Sequence, residues 1–231
     1  MTKRLYSLGA LLIVTLLLGA CAGTRYVPYK EGEEQDVLSR TVAYEIDREF
    51  YVNIPDCVLV MPLEADGSQA PYARLVESEL SRQLKGKFNR VIGPVERRMA
   101  SRAQAVDISN PDDRRVLAKS LNCHAFVFTK LIDPGPTYLL VWSQVSVGMD
   151  VRLERVTDGR VLWRARTEAS RSKGGLPLSP FSILANGFSS VRFAADEADV
   201  TASVISDAVR RIVRTLPDAR VFETARQQNR R

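Results

Sequence analysis

The clearest periodicity lies in the second half of the chain. Val145, Val147, Met149, Val151 and Leu153 alternate with Gln144, Ser146, Gly148, Asp150, Arg152 and Glu154. After Thr157-Asp158-Gly159 the alternation resumes, with Val161, Trp163, Ala165, Thr167 and Ala169 set against Arg164, Arg166 and Glu168. Period two interrupted by a Gly-bearing turn predicts a long antiparallel hairpin with one buried and one wet face. Trp142 and Trp163 read as packing residues of that hairpin.

Upstream, short continuous apolar runs replace alternation. Val58 to Leu63 and Ala125 to Ile132 suit buried strands, and Phe88, Val91 and Ile92 before Gly93-Pro94 suit a shorter one. Helical spacing fills the gaps. Tyr72, Val76, Leu80 and Leu84, with Leu75 beside them, predict a helix over 71–85. A second helix over about 95–105 shows a basic face of Arg97, Arg98 and Arg102. Asn110-Pro111-Asp112-Asp113 supplies a cap, a proline at the first helical position and first-turn acids, with Val116, Leu117 and Leu121 facing inward behind them. Val200, Val204, Ile205, Ala208, Val209, Ile212 and Val213 form the stripe of a final helix over 197–214. Val42, Tyr44, Ile46, Phe50 and Val52 suit a strand or a short helix on the domain edge.

This order predicts an α/β fold with a mixed sheet. Parallel strands are joined by helices in right-handed crossovers, and a long antiparallel hairpin and a C-terminal helix complete a three-layer-like domain.

The amino terminus follows a different logic. Lys3 and Arg4 precede an uncharged run from Leu5 to Leu18, and Leu18-Gly19-Ala20-Cys21 closes it. A charged start, a short apolar core and a small-residue exit describe a secretory signal peptide, and the run is too short for a good membrane span. The last four residues resemble a bacterial lipobox, which implies lipidation of Cys21 and a membrane anchor. Ala22, where inner-membrane retention in enteric bacteria uses Asp, points to the outer membrane, periplasmic face. The chain thus divides into a signal peptide over 1–20, a lipidated Cys21 and tether over 21–53, the α/β domain over 54–215 with an apolar loop over 171–195, and a polar tail over 216–231 without apolar periodicity.

Export makes the remaining cysteines a possible disulfide. Cys57 and Cys123 each precede a strand-like run. If those strands are parallel neighbours in register, the two Cα atoms fall within bonding range. The alternative is two small buried hydrophobes.

Composition narrows function further. The chain has 231 residues, 45% hydrophobic and 26% charged, which fits a folded domain and not a disordered one. The net charge is +6, yet no run of five like charges occurs and aromatics are 7%, so no nucleic-acid partner is expected. One histidine and three cysteines are poor material for a metal site, and no cofactor motif occurs. His124, the only imidazole, has no second imidazole to work with and reads as structural or surface. Asp56, Glu64 and Asp66 surround the ends of the first buried strand and read as solvated turns. No nucleophile, base and orienter assemble by spacing, so an enzyme is not expected.

Three segments carry a family likeness: Val58-Leu59-Val60-Met61-Pro62, Cys123-His124-Ala125-Phe126-Val127-Phe128 and Val156-Thr157-Asp158-Gly159-Arg160-Val161-Leu162-Trp163. In that order, behind a lipobox, they resemble bacterial outer-membrane lipoproteins with a TolB amino-terminal-like domain, the CsgG and LpoB-like superfamily with its small-lipoprotein branch. The likeness spans Ile54 to Thr215 and implies a non-enzymatic envelope component without catalytic residues.

Expected partners are therefore the membrane, through the N-terminal lipid, and envelope proteins or further copies of the chain. Two surfaces are candidates. One is the hairpin's wet face. The other is the apolar stretch from Leu176 to Phe193, where Leu176, Leu178, Phe181, Ile183, Leu184 and Phe188 are too many large side chains for a free loop. Arg97, Arg98 and Arg102, with Arg114 and Arg115, offer a basic face for anionic lipid or glycan phosphates, or a merely solvated one. An LpoB-like activator of a peptidoglycan synthase is a second reading, but some thirty residues before Ile54 reach only ~100 Å when fully extended. A CsgG-like pore subunit is a third, but it would need lipid-facing hairpins beyond the one the core already uses.

Overall fold

The computed structural model describes residues 24–31, 41–64, 70–132, 144–172 and 190–222. A seven-stranded sheet organises them in the order β1-β2-β7-β6-β5-β3-β4. Its strands are β1 (Arg25–Pro28), β2 (Thr41–Ile46), β3 (Cys57–Val60), β4 (Arg90–Ile92), β5 (Ala125–Ile132), β6 (Gln144–Arg155) and β7 (Val161–Ser172). The helices are α1 (Arg48–Val52), α2 (Ala70–Leu84), α3 (Pro94–Ala103), α4 (Pro111–Ser120) and α5 (Ser190–Arg214). β3 runs parallel to both β4 and β5, while β5, β6, β7 and β2 pair antiparallel in succession. This is the α/β mixed sheet that the hydrophobic pattern predicts.

Alternation in the hairpin decides which way the sheet faces. Met149, Val151, Leu153, Trp163 and Ala165 point to one side with Val58, Val60 and Val127, and all are buried. Val76, Leu80 and Leu84 of α2 and Val204 to Val213 of α5 cover them. Each such side chain contributes about 1.5–3 kcal/mol by leaving water. Trp163 is packed there as expected, its Nε1–H donating to Thr215 Oγ1 at 3.0 Å. On the opposite side Leu59, Met61, Ile92, Phe126 and Phe128 gather under Leu117 and Ala118 of α4 and Ala100 of α3. Among the described residues that second layer lies over β4, β3 and β5.

Helix α4 begins as its sequence dictates, with the Asn110 side chain accepting from the Asp112 amide at 2.9 Å. It ends in a left-handed residue, Asn122 (φ 53°). The Cys123 amide donates to Ala118 O at 2.8 Å and the Asn122 amide to Lys119 O at 3.1 Å. This paired closure is a Schellman turn, and it delivers the chain directly into β5.

Several expectations are corrected. The segment 21–53 is not all tether, because β1 and β2 lie within it and pair in parallel, Arg25 opposite Thr41. A four-residue strand is too short to show a period. Residues 41–52 resolve the strand-or-helix ambiguity by being both in turn. Helix α5 starts at Ser190 and takes Val191 and Phe193 out of the supposed loop, while β7 takes Arg171 and Ser172. Leu176, Leu178, Phe181, Ile183, Leu184 and Phe188 lie outside the described residues, as do Cys21 and Trp142. Val116 is 55% exposed and does not face inward.

The polar tail starts later than its composition suggests. Leu216 and Ala219 are buried in the core, the Ala219 amide donates to Lys87 O at 2.9 Å, and the Phe222 ring meets Tyr51 edge-on at 5.7 Å. A chain ending at Thr215 is therefore expected to melt at least about 5 °C lower, since losing one buried Leu costs about 2–5 kcal/mol. Thermal melts of the two chain lengths check this, and equal midpoints would show that 216–222 contributes nothing.

Candidate functional site

The hairpin's wet face becomes a site because the α3–α4 layer stops at β5. Among the described residues, no helix covers the corresponding side of β6, β7 and β2. Register lines up the polar side chains there in cross-strand rows. Lys130 lies opposite Asp150, and Asp150 opposite Arg166. In the next row Phe128, Arg152 and Arg164 follow one another, with Glu45 opposite Arg164. Neighbouring strands sit ~4.8 Å apart, so each row is a short ladder of interacting groups.

Most charges in the ladder are neutralised locally. Arg152 binds Glu154 at 2.6 Å and Glu64 at 2.9 Å and lies 4.7 Å from the centre of the Phe128 ring. Arg164 binds Glu45 at 2.8 Å and sits 4.2 Å over the Tyr29 ring. Tyr29, just past β1, reaches across the face and donates its hydroxyl to Asp150 Oδ2 at 2.8 Å. Burial, then that hydrogen bond, pushes the Tyr29 phenol up to about 12, so it remains a neutral donor at any physiological pH. Glu64, expected as a solvated turn residue, is thus part of this network.

Between these groups lies an open cleft of about 530 Å³, lined by Tyr29, Glu31, Lys130, Asp150, Arg152, Arg164 and Arg166. Ile132, which also lines it, lies opposite Gly148. A Cβ there would come within 2.8 Å of Ile132 O, so any other residue would push β5 and β6 apart.

The opposite end of the sheet carries a second cleft of about 410 Å³, lined by Asp56, His124, Arg155 and Thr157 among others. Register places β3 beside β5, Val58 opposite Ala125, and this brings the residues before both strands together. His124 Nδ1 and Asp56 Oδ1 are 2.8 Å apart, both half-exposed. Arg155 nearby is occupied by Glu49 at 2.9 Å and by Asp158. His124 keeps the surface position its sequence context suggests, and Asp56 proves to be its partner. Next to them in sequence, Cys57 and Cys123 are joined by a disulfide, with Cα atoms 4.7 Å apart. Among the described residues, no group of three His, Cys, Asp or Glu could hold a metal ion.

The basic face assigned to 95–105 is divided by the fold. Arg97 is buried and bonded to Glu77, whereas Val95 and Met99 are 61% and 67% exposed. Helix α3 therefore turns Arg97 and Ser101 inward and leaves Glu96, Arg98 and Arg102 exposed. Among the described residues, no helix is long and apolar enough to cross a membrane.

No family model matches the chain, and no curated protein matches it. Solved structures do. The PelC dodecamer from Paraburkholderia phytofirmans is 14% identical, over 77% of this chain and 98% of that one, with a TM-score of 0.41. Lipoprotein GNA1162 from Neisseria meningitidis is 15% identical, over 62% and 99%, with a TM-score of 0.41. The LpoB C-terminal domain from Salmonella enterica is 11% identical, over 49% and 81%, with a TM-score of 0.35.

Proposed function

We propose that this chain is a lipid-anchored envelope lipoprotein of the outer membrane, held on the periplasmic face. On this reading it is non-enzymatic and joins other proteins through the open face of its sheet. The observation that carries the anchoring is the leader, a charged start and apolar run ending at Leu18-Gly19-Ala20-Cys21. The uncovered half of the sheet supports partner binding, since its charges are arranged in rows and its cleft is polar and accessible. Placement among lipoproteins with a TolB amino-terminal-like domain belongs to the same proposal.

Two measurements test it. Cys21→Ser is expected to remove acylation, and mass spectrometry of the membrane fraction should find a lipidated terminus only in the unaltered protein. An unmodified Cys21 in that fraction sinks the anchor. A photocrosslinking residue placed at Glu45 is expected to yield a discrete adduct with an envelope protein, whereas the same residue at Arg98 yields none. Equal adducts from both positions, or none from Glu45, sink the partner surface.

A further inference from the structure

Among the described residues, two cations of the open face are not satisfied by its own carboxylates. Arg152 and Arg164 are paired, as described above. The Arg166 side chain makes no hydrogen bond or ion pair among the described residues, and its Nε is buried without an acceptor. Lys130, exposed two strands away in the same row, makes none either. Asp150 stands between them in register, but its carboxylate takes the Tyr29 hydroxyl. A buried guanidinium nitrogen without an acceptor forgoes a charge-assisted bond, which is a costly arrangement unless something else supplies the oxygen.

We propose that the Lys130–Asp150–Arg166 row is a recognition site for a carboxylate-rich segment of a partner protein, with Arg166 and Lys130 as its two anchors. The proposal rests on the reading of the open face as a partner surface. The face already takes carboxylates as its preferred ligands, since Arg152 and Arg164 each hold Glu side chains. A phosphate fits less well. Lys130 and Arg166 are separated by two strand spacings, ~10 Å, too far to converge on one compact dianion. Asp150 between them would repel such a dianion but leaves room for single carboxylates on either flank. An extended peptide with acids at alternate positions places carboxylates ~6.7 Å apart along one side, within reach of both flexible cations. Tyr29 has a defined part in this. By holding Asp150 it keeps that carboxylate from neutralising Arg166.

The test uses fluorescence anisotropy with the full protein in neutral detergent and a labelled decapeptide of alternating Ser and Glu. A Ser-Gln decapeptide is the control. The Glu peptide is expected to bind with an affinity that falls as salt rises. Arg166→Gln should weaken it about tenfold and Lys130→Gln about threefold, as expected for a partly screened charge-assisted bond. Tyr29→Phe should weaken it about threefold by releasing Asp150 toward Arg166. Asp150→Asn should strengthen binding, a gain that misfolding cannot produce. Arg98→Gln removes the same charge elsewhere and should change nothing. The site is overturned if Arg166→Gln behaves like Arg98→Gln, or if the Gln peptide binds equally well. It is also overturned if inorganic phosphate or phosphatidylglycerol vesicles, and not the peptide, bind in an Arg166-dependent way. Adducts from Glu45 without peptide binding would remove the acidic site and leave the partner surface standing. Peptide binding without adducts would leave an acid-binding row but remove the partner surface, and with it the partner protein as its occupant.

Discussion

Replacing Arg97 with Met is expected to destabilise the protein by about 3–5 kcal/mol, the usual result of leaving one member of a buried ion pair uncompensated. Arg97 is 3% exposed. One guanidinium nitrogen donates to Val60 O and another to Glu77 Oε2 at 2.7 Å, while Glu77 Oε1 accepts the Leu63 amide at 3.1 Å. The pair thus ties α2 and α3 to the end of β3. Burial pulls the Arg97 pKa below its ordinary value, and Glu77 opposes that shift, so the guanidinium remains charged. Without it, the Glu77 carboxylate would be left in a low-dielectric pocket. The double variant Arg97→Met with Glu77→Leu should recover most of the loss, because the native pair is itself imperfect: Arg97 Nε has no acceptor. Urea unfolding of the three proteins decides this. A cost below about 1 kcal/mol for Arg97→Met, or no recovery in the double variant, would show that the pair is not energetically coupled.

The same residue shows where a reading of sequence stops. The strands β3 and β5 to β7 were legible because burial of one or both faces writes itself into the chain as apolar runs or period two. Helices α2, α4 and α5 were legible from their stripes and, for α4, from its cap. Arg97 was not. A basic residue flanked by Arg98 and Arg102 has the signature of a solvated face. Its burial depends on Glu77, 20 positions away. The outward Val95 and Met99 are the only local hint, since they leave the inward side of α3 to Arg97 and Ser101. β1 was hidden by its shortness, and Leu216 and Ala219 by the polar residues around them. The open face is legible as the wet side of a hairpin. Its rows are not, because they depend on pairing between β5, β6, β7 and β2, and a one-residue slip would move every side chain to the other face. Tyr29 could not have been placed there at all. Its contact with Asp150 spans 121 positions and depends on β1 joining the sheet.

Loss of the Cys57–Cys123 bond is expected to be comparable in size. The two cysteines are 66 residues apart in sequence, and closing a loop of that length restricts the unfolded chain by about 4 kcal/mol. The folded protein bears little of the cost, because β3 and β5 already lie side by side and the turn after α4 sets Cys123 against Cys57. Cys57→Ala with Cys123→Ala should therefore keep the fold and lower the melting temperature by about 10 °C. Both cysteines are buried, 2% and 3% exposed, so a mild reductant should fail to open the bond in the native protein and succeed once urea unfolds it. Chain retained in the cytosol by deletion of residues 1–20 should carry Cys57 and Cys123 as free thiols and melt with the double variant, whereas exported chain should not. Alkylation before and after reduction, read by mass spectrometry on both preparations, checks this directly. Free thiols in the exported protein, or oxidised and reduced forms that melt within about 2 °C of each other, would show that these cysteines act only as small buried side chains.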